Sequence, residues 1–386
     1  MNNTQCPICK KYTLAEILKT DGSVSSDGVF QPFSISLTTC EFCGNAHILQ
    51  DAGMLQHIQK FYQQEYAFLL SSEEEEPCEI TEHTARKYSE SLVSFFSAYI
   101  DCAVHHRILD VGAGKGNFLT ALHKKYPSIE KHAIEPGPAY KHLVKHPFLK
   151  SAQKNFFDPS FFNEKFDLVS LSFVLEHVSS PVEFLRSIKQ VLTDKHSLVL
   201  VEVPNFSHNK SDLLTFDHLF KYTETSFENL VFCSGFSIVA RQVDPKRVPM
   251  QFVIQPDIKR SIIARSEFQT FMNAHEYLQF VTSEANKIST DHIAIYGQGL
   301  LLPYFLGTAV IKLKNIKCII DDNPLYHHTL YRGVIPIVSL DEFSKDLHFE
   351  VSAILLAMND CYHENVLSKL QSKNLNIPIY GQWGSI

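Results

Sequence analysis

Two groups of residues in this 386-residue chain have the types and spacing to do chemistry. Cys6-Pro7-Ile8-Cys9 and Cys40-Glu41-Phe42-Cys43 are Cys-x-x-Cys knuckles that together offer four thiolates in the tetrahedral set favoured by Zn2+. Four thiolates leave no open coordination position, so the expected role is structural. A redox role would need a thioredoxin-like βαβ setting, which neither pair has. Metal binding here would supply folding free energy on the order of 10 kcal/mol to a segment poor in large apolar side chains.

The second group is Ile108-Leu109-Asp110-Val111-Gly112-Ala113-Gly114-Lys115-Gly116-Asn117-Phe118. An apolar run meets an acid, three glycines follow at alternate positions, and a helical pattern begins at Asn117. Such a strand, tight turn and helix N-terminus lets backbone approach a ligand and offers unpaired N–H groups to an anion. Ala133-Ile134-Glu135 is a second apolar segment ending in an acid, at the separation where a carboxylate grips ribose hydroxyls. Both NAD and S-adenosylmethionine satisfy that description. The spacing G-x-G-x-G, with an acid before the first glycine, differs from the pyrophosphate-admitting G-x-G-x-x-G and favours the sulfonium cofactor. Asp110, Gly112, Gly114, Gly116 and Glu135 are the expected cofactor contacts.

The elements that must position these residues follow in βα order. Strands are expected at 107–112, 132–135, 151–156, 166–173 and 197–203, with helices at 117–126, 138–146 and 181–192 between them. Two more strands, 236–243 and 249–255, complete a sheet of seven. This alternation predicts a mostly parallel, doubly wound α/β sheet with its ligand at the carboxyl ends of the strands. Upstream, 54–70 reads as a helix whose Tyr62 and Tyr66 share a face as core residues, Glu73 to Glu76 as a solvated linker, and 82–103 as an amphipathic helix. Downstream, a helical connector at 258–289 leads to Ile293-Ala294-Ile295-Tyr296-Gly297-Gln298-Gly299 and Cys318-Ile319-Ile320-Asp321-Asp322, a second strand–glycine–strand rhythm without the third glycine. The expected organisation is a zinc-binding subdomain at 1–60, a central Rossmann-like domain at 61–257, and the connector with a C-terminal Rossmann-like domain, without a catalytic cofactor, at 258–386.

Asp110 to Gly116, Glu135 and the run Phe166 to Val178 resemble successive motifs of class I S-adenosylmethionine-dependent methyltransferases. In that class an amide or acid at the end of the third strand faces the adenine amino group, which the resemblance places at Asn155-Phe156. The whole arrangement is similar to the zinc-containing nucleotide-sugar C-methyltransferases. Asp321-Asp322-Asn323-Pro324 followed by Gly333-Val334-Ile335-Pro336-Ile337-Val338 matches that family's C-terminal signature. The resemblance implies C-methylation of a nucleotide-linked keto sugar. His218 would remove a proton alpha to the keto group, and Asp217 and His177 would position substrate or shuttle protons. Thr215 stands where the family has a tyrosine. Imidazole suits proton removal near neutral pH, and a neighbouring carboxylate would orient it and stabilise its cation. Asp217 and His218, adjacent on an extended segment, are expected to point oppositely.

Composition bounds the partners. The chain carries 35 Lys+Arg against 42 Asp+Glu, a formal charge of -7, which argues against a nucleic-acid surface. No leader and no unbroken apolar span is evident, so no membrane partner is expected. Nine cysteines, five of them scattered in apolar contexts, fit a reducing, cytoplasmic compartment. O- or N-methylation of a sugar or other small metabolite, and a non-catalytic assembly protein retaining the fold, are the alternatives. Oligomeric state is left open by the sequence.

Overall fold

In the computed structural model, residues 5–11, 14–66, 78–80, 85–245, 247–257 and 262–383 are described, and they form three larger sheets and two short hairpins. The first sheet begins with strands β1 (Leu14–Lys19), β2 (Ser36–Cys40) and β3 (Ala46–Ile48), paired antiparallel in that order. Helix α1 (Ala52–Lys60) starts where the Asp51 carboxylate accepts from the Met54 N–H at 2.8 Å, the N-cap contact that satisfies an orphan donor. It runs on as one π-helical turn, Phe61–Glu65, which carries Tyr62. The helix expected to reach residue 70 is followed only this far, because 67–77, with the Glu73–Glu76 run, lie outside the described residues. The helix expected over 82–103 is shorter. A hairpin, Cys78–Ile80 with Ala85–Lys87, precedes α2 (Tyr88–Phe96).

Strand β4 (Arg107–Val111) opens the central sheet, and α3 (Asn117–Lys125) returns the chain to β5 (Glu130–Ile134). There follow β6 (Leu149–Gln153), β7 (Leu168–Ser172), α4 (Pro181–Ile188) and β8 (Leu198–Pro204). All seven residues of β8 are buried, as a strand covered on both faces requires. The chain then crosses to the first sheet. Strand β9 (Phe220–Lys221) pairs antiparallel with β3, Phe220 opposite His47, and the four-stranded order is β1-β2-β3-β9. Helix α5 (Glu224–Cys233) leads back to β10 (Phe236–Gln242) and β11 (Pro249–Pro256). The seven-stranded order is β6-β5-β4-β7-β8-β11-β10, parallel except for the pairings of β11. Leu37, Ile48 and Phe220 of the first sheet share one hydrophobic core with Leu171 and Val201 of the central sheet and with Phe216.

Helix α6 (Phe268–Asn286) connects to the last sheet, formed by β12 (Ile293–Tyr296), β13 (Ile316–Ile320), β14 (Leu330–Tyr331), β15 (Ile335–Val338), β16 (Ala353–Leu356) and β17 (Ile379–Tyr380). Its order is β14-β15-β13-β12-β16-β17, with only the β14–β15 pair antiparallel. Because β13 and β16 flank β12 on opposite sides, the chain reverses direction of travel there, which makes the carboxyl ends of β12 and β16 the topological switch point of this sheet. Among the described residues no helix is long and apolar enough to cross a membrane.

Candidate functional site

The glycine turn after β4 is built as its sequence requires. Gly112, Gly114 and Gly116 have φ of 71°, 54° and 86°, conformations that side chains with a Cβ rarely adopt. The turn is pinned to the next strand by the Gly112 N–H donating to the Ile134 carbonyl at 2.9 Å. Glu135, buried just beyond β5, closes over it: one carboxylate oxygen accepts from the Gly114 N–H at 2.8 Å and the other from the Gly137 N–H at 2.6 Å. Burial pushes the Glu135 carboxyl upward, and these two donors oppose that rise. A Cβ placed on Gly114 would meet nothing within 4 Å, so the turn leaves open space on the ligand side.

Asp110 lies deeper. Its carboxylate accepts from Ser170 Oγ at 2.6 Å, and burial raises it to about 7 against that hydrogen bond. It braces β4 against β7, where its hydrogen-bond partner, Ser170, is also buried. Asn155 and Phe156 do not end the third strand as expected, because β6 stops at Gln153. Asn155 is exposed in the loop beyond that end, where its side-chain oxygen accepts the Phe156 N–H at 3.1 Å.

A polar cluster occupies the same end of the sheet. His177 ends a 3-10 turn after β7, and His218 lies in the insertion after β8. Their rings meet edge to face, with centroids 4.8 Å apart. Asp217 and His218 do point oppositely. Asp217, fully buried, accepts from the Ser26 N–H at 2.8 Å, from Ser26 Oγ at 2.5 Å and from the Tyr62 hydroxyl. His218 turns instead to Asp212, with Nδ1 and Oδ1 at 2.6 Å, and Lys221 Nζ lies 3.5 Å from the other oxygen. The orienting carboxylate sought beside His218 is therefore Asp212, six positions earlier.

His177 Nδ1 lies 2.9 Å from the Asp217 carbonyl oxygen and 2.7 Å from the Tyr62 hydroxyl oxygen. A carbonyl only accepts, so Nδ1 carries the proton and Nε2 keeps its lone pair. Burial, then the facing His218, holds the His177 imidazolium down to about 4. For His218 burial acts in the same direction, but the Asp212 charge outweighs it and the net shift is upward. Asp212 in turn is held well below the usual carboxylate range despite its burial, by His218 and Lys221. Beneath both rings lies Glu176, fully buried, which burial drives to about 8, so it is a neutral acid at pH 7. His177 and His218 keep 17% and 13% side-chain exposure while Asp217 keeps 0%, so the imidazoles face solvent where Asp217 does not.

The cluster adjoins the glycine turn. A Cβ on Gly112 would lie 2.7 Å from Val174 Cγ2, just ahead of Glu176 and His177, and one on Gly137 would lie 2.9 Å from the Tyr62 carbonyl oxygen. Tyr62, Asp212, Ser26, Glu176 and Lys221 are members that sequence reasoning missed. Tyr62 shares the ring stack its spacing with Tyr66 implied, at 5.2 Å between centroids, yet its hydroxyl serves the cluster. Asp212 carried no signal beyond being an acid in a polar insertion.

Residues 80–241 match the family model for a methyltransferase domain. That part of the chain is a methyltransferase domain. The S-adenosylmethionine-dependent class implied by the motifs stands at that level, and the match stops short of the substrate. No curated protein matches the sequence. Among solved structures, a mitomycin 7-O-methyltransferase is 17% identical over 44% of this chain and 54% of that one, with a TM-score of 0.37. An 8-amino-8-demethyl-D-riboflavin dimethyltransferase from Streptomyces davawensis is 20% identical over 44% and 55%, TM-score 0.36. A methyltransferase from Clostridium acetobutylicum is 12% identical over 44% and 91%, TM-score 0.36. The chain thus spans about half the length of the first two, and likeness at this level carries no substrate information.

The four knuckle cysteines also converge. Their sulfurs all lie within 4.8 Å of one another, with Cys6–Cys43 at 3.7 Å and Cys9–Cys40 at 3.6 Å, close to the roughly 3.8 Å edge of a tetrahedron with 2.3 Å Zn–S bonds. Each knuckle ends in a left-handed residue, Lys10 at φ 63° and Gly44 at φ 70°. As thiols they crowd one another: the Cys40 thiol and burial push Cys6 up to about 12, a burden that a shared cation relieves by favouring thiolates. These residues fit a closed structural site.

Proposed function

We propose that the chain is an S-adenosylmethionine-dependent C-methyltransferase acting on a nucleotide-linked keto sugar, with His218 as the base that removes the proton alpha to the keto group. The observation that carries this reading is the Asp212–His218 pair at 2.6 Å, set beside His177 in a cluster that adjoins the glycine turn through Val174. Simple methyl transfer to oxygen or nitrogen gives little work to two buried carboxylates, two imidazoles and a phenol.

In this reading Glu135 and the N–H groups of the Gly112–Gly116 turn hold the cofactor, which, when bound, supplies an electrophilic methyl group. Nδ1 of His218 faces Asp212, so Nε2 is the basic atom. The alpha C–H bond breaks, its proton passes to Nε2, and the electron pair is left on the alpha carbon and keto oxygen as an enolate; that carbon takes the methyl group as the sulfonium C–S bond breaks, with S-adenosylhomocysteine leaving. Asp212 stabilises the imidazolium, His177 Nε2 accepts from a substrate hydroxyl, and Tyr62, its hydroxyl shared between Asp217 and His177 Nδ1, holds that imidazole in place. The phenol missing at Thr215 is replaced by that of Tyr62, brought in by the π-helical turn after α1. Cys6, Cys9, Cys40 and Cys43 hold Zn2+, which supports the sheet that carries β9.

The test is deuterium uptake. Protein, cofactor and a panel of 4-keto nucleotide sugars in deuterium oxide are expected to give alpha-proton exchange and a carbon-bound methyl signal. His218→Asn lowers both by about 10²- to 10⁴-fold, the usual contribution of a positioned base. Absence of exchange and methylation across the panel counts against the reading. A heteroatom-bound methyl group would instead establish the O- or N-methyltransferase alternative, which Thr215 in the tyrosine's place favours.

A further inference from the structure

The carboxylate that orients His218 sits in a segment held by the C-terminal sheet. Asp212 belongs to the 3-10 turn Lys210–Leu214. The loop after β16, at the switch point of the sheet, reaches across to that turn. Asn359 Oδ1 accepts from the Ser211 N–H at 3.1 Å and from Ser211 Oγ at 2.6 Å, and Asn359 Nδ2 donates to Asn209 Oδ1 at 2.7 Å. Asp360 pairs with Lys210, and Cys361 Sγ donates to the His208 carbonyl at 3.1 Å. Four consecutive residues of the insertion, 208–211, are gripped by three consecutive residues of the loop, 359–361.

We infer that Asn359 and Asp360 are positioning residues for proton transfer, acting through Asp212 on His218, so that the C-terminal domain sets the geometry of a base it does not itself contain. This rests on reading His218 as the base. The grip lies immediately before Asp212 on both backbone and side chains, and the Asp212–His218 contact is short enough that a displacement of about 1 Å would uncouple it, a scale of misplacement that costs on the order of 10²-fold in rate. Asp212 has no slack of its own, being also committed to buried Lys221 at 3.5 Å.

The experiment uses the full-length, zinc-replete protein with Asn359→Ala and, separately, the near-isosteric Asp360→Asn. The expected result is a fall of about 10- to 100-fold in kcat for alpha-proton exchange, with calorimetric affinity for S-adenosylhomocysteine within about twofold of wild type. The acid limb of the pH profile shifts to lower pH, because an imidazole that loses its carboxylate holds its proton less tightly. In an Asp212→Asn background, Asn359→Ala has no further effect on kcat or on the limb. A purely structural role would lower the melting temperature and leave the limb in place, and that outcome overturns the inference. Histidine NMR titration of His218, identified by its loss in His218→Asn, reads the same displacement without any substrate. If wild type shows no exchange yet the His218 titration moves in Asn359→Ala, the coupling stands and the functional reading falls. An unmoved titration sinks the coupling whatever the substrate.

Discussion

The central and C-terminal sheets begin with the same local grammar, a buried strand, a glycine turn, a helix and a second strand ending in acid, yet only one of them leaves room for a ligand at the turn. After β4 three glycines adopt positive φ and Gly114 faces open space, with the Glu135 carboxylate spanning the turn. After β12 only Gly297 does so. A Cβ there would lie 3.1 Å from Met358, and one on Gly299 would lie 3.3 Å from the Ala357 carbonyl oxygen. The acids differ as well. Asp322 is taken by the Tyr296 hydroxyl at 2.9 Å and by Lys369 at 3.0 Å, and Asp321 accepts the Asn323 N–H at 2.8 Å. What separates a cofactor cleft from a docking face is therefore what packs against the turn.

Three measurements break or sharpen that contrast. The largest effect is expected from the metal. Removing the proposed Zn2+ by chelation, or replacing Cys40 with serine, is expected to forfeit folding free energy on the order of 10 kcal/mol. The loss falls on one side only. Amide exchange accelerates in β2, β3 and β9 and around His218, while β12 and β13 stay protected; equal deprotection of the two Rossmann-like sheets would contradict the shared core of the first and central sheets.

Next comes the acid after the second strand. Glu135→Ala should weaken S-adenosylhomocysteine binding by about 10- to 100-fold, the worth of a charge-assisted hydrogen bond, whereas Asp322→Ala leaves it within about twofold. Calorimetry decides, and a comparable loss in both variants would show that the second turn also serves the cofactor.

The smallest effect is in pH dependence. Burial raises Asp110 to about 7 and Asp321 to about 6, each above the ordinary 3.8. A carboxyl raised in the folded state contributes stability that is present below the unfolded pKa and lost as pH climbs through the folded one. Asp110→Asn should therefore flatten the decline in melting temperature between about pH 4 and 7, and Asp321→Asn should do so less strongly and over a lower range. A steeper decline in Asp110→Asn than in wild type would show that Asp110 is ionised in the fold.

Much of this was legible in the sequence. The glycine turn, Glu135, the seven-stranded sheet and the two knuckles follow from local chemistry, because φ signs, periodicity and ligand spacing are written within a few residues. Asp217 and His218 point apart as expected of an extended segment, although in the fold they lie in a bend and loop just ahead of β9. What escaped depends on contacts between distant segments. Tyr62 meets Asp217 across 155 positions, and Ser26 meets it across 191, so neither partner could be read from its own surroundings. Asp212 was hidden differently: the insertion carries its own acids, and only the fold of the 3-10 turn chooses Asp212 over Asp217 for the imidazole. The early end of β6 likewise moved Asn155 out of the position its motif implied.

The seating of β9 in the N-terminal sheet also constrains how such a protein can be recombined. Phe220 and Lys221 follow His218 almost at once and find their strand partners at His47 and Ala46. A chimera that borrows the insertion from a relative must import a compatible edge from the amino-terminal region too, or leave Lys221 and its neighbours without a ladder. Crossover points between residues 48 and 220 therefore divide a single catalytic inheritance, whereas exchanges on the far side of β11 do not.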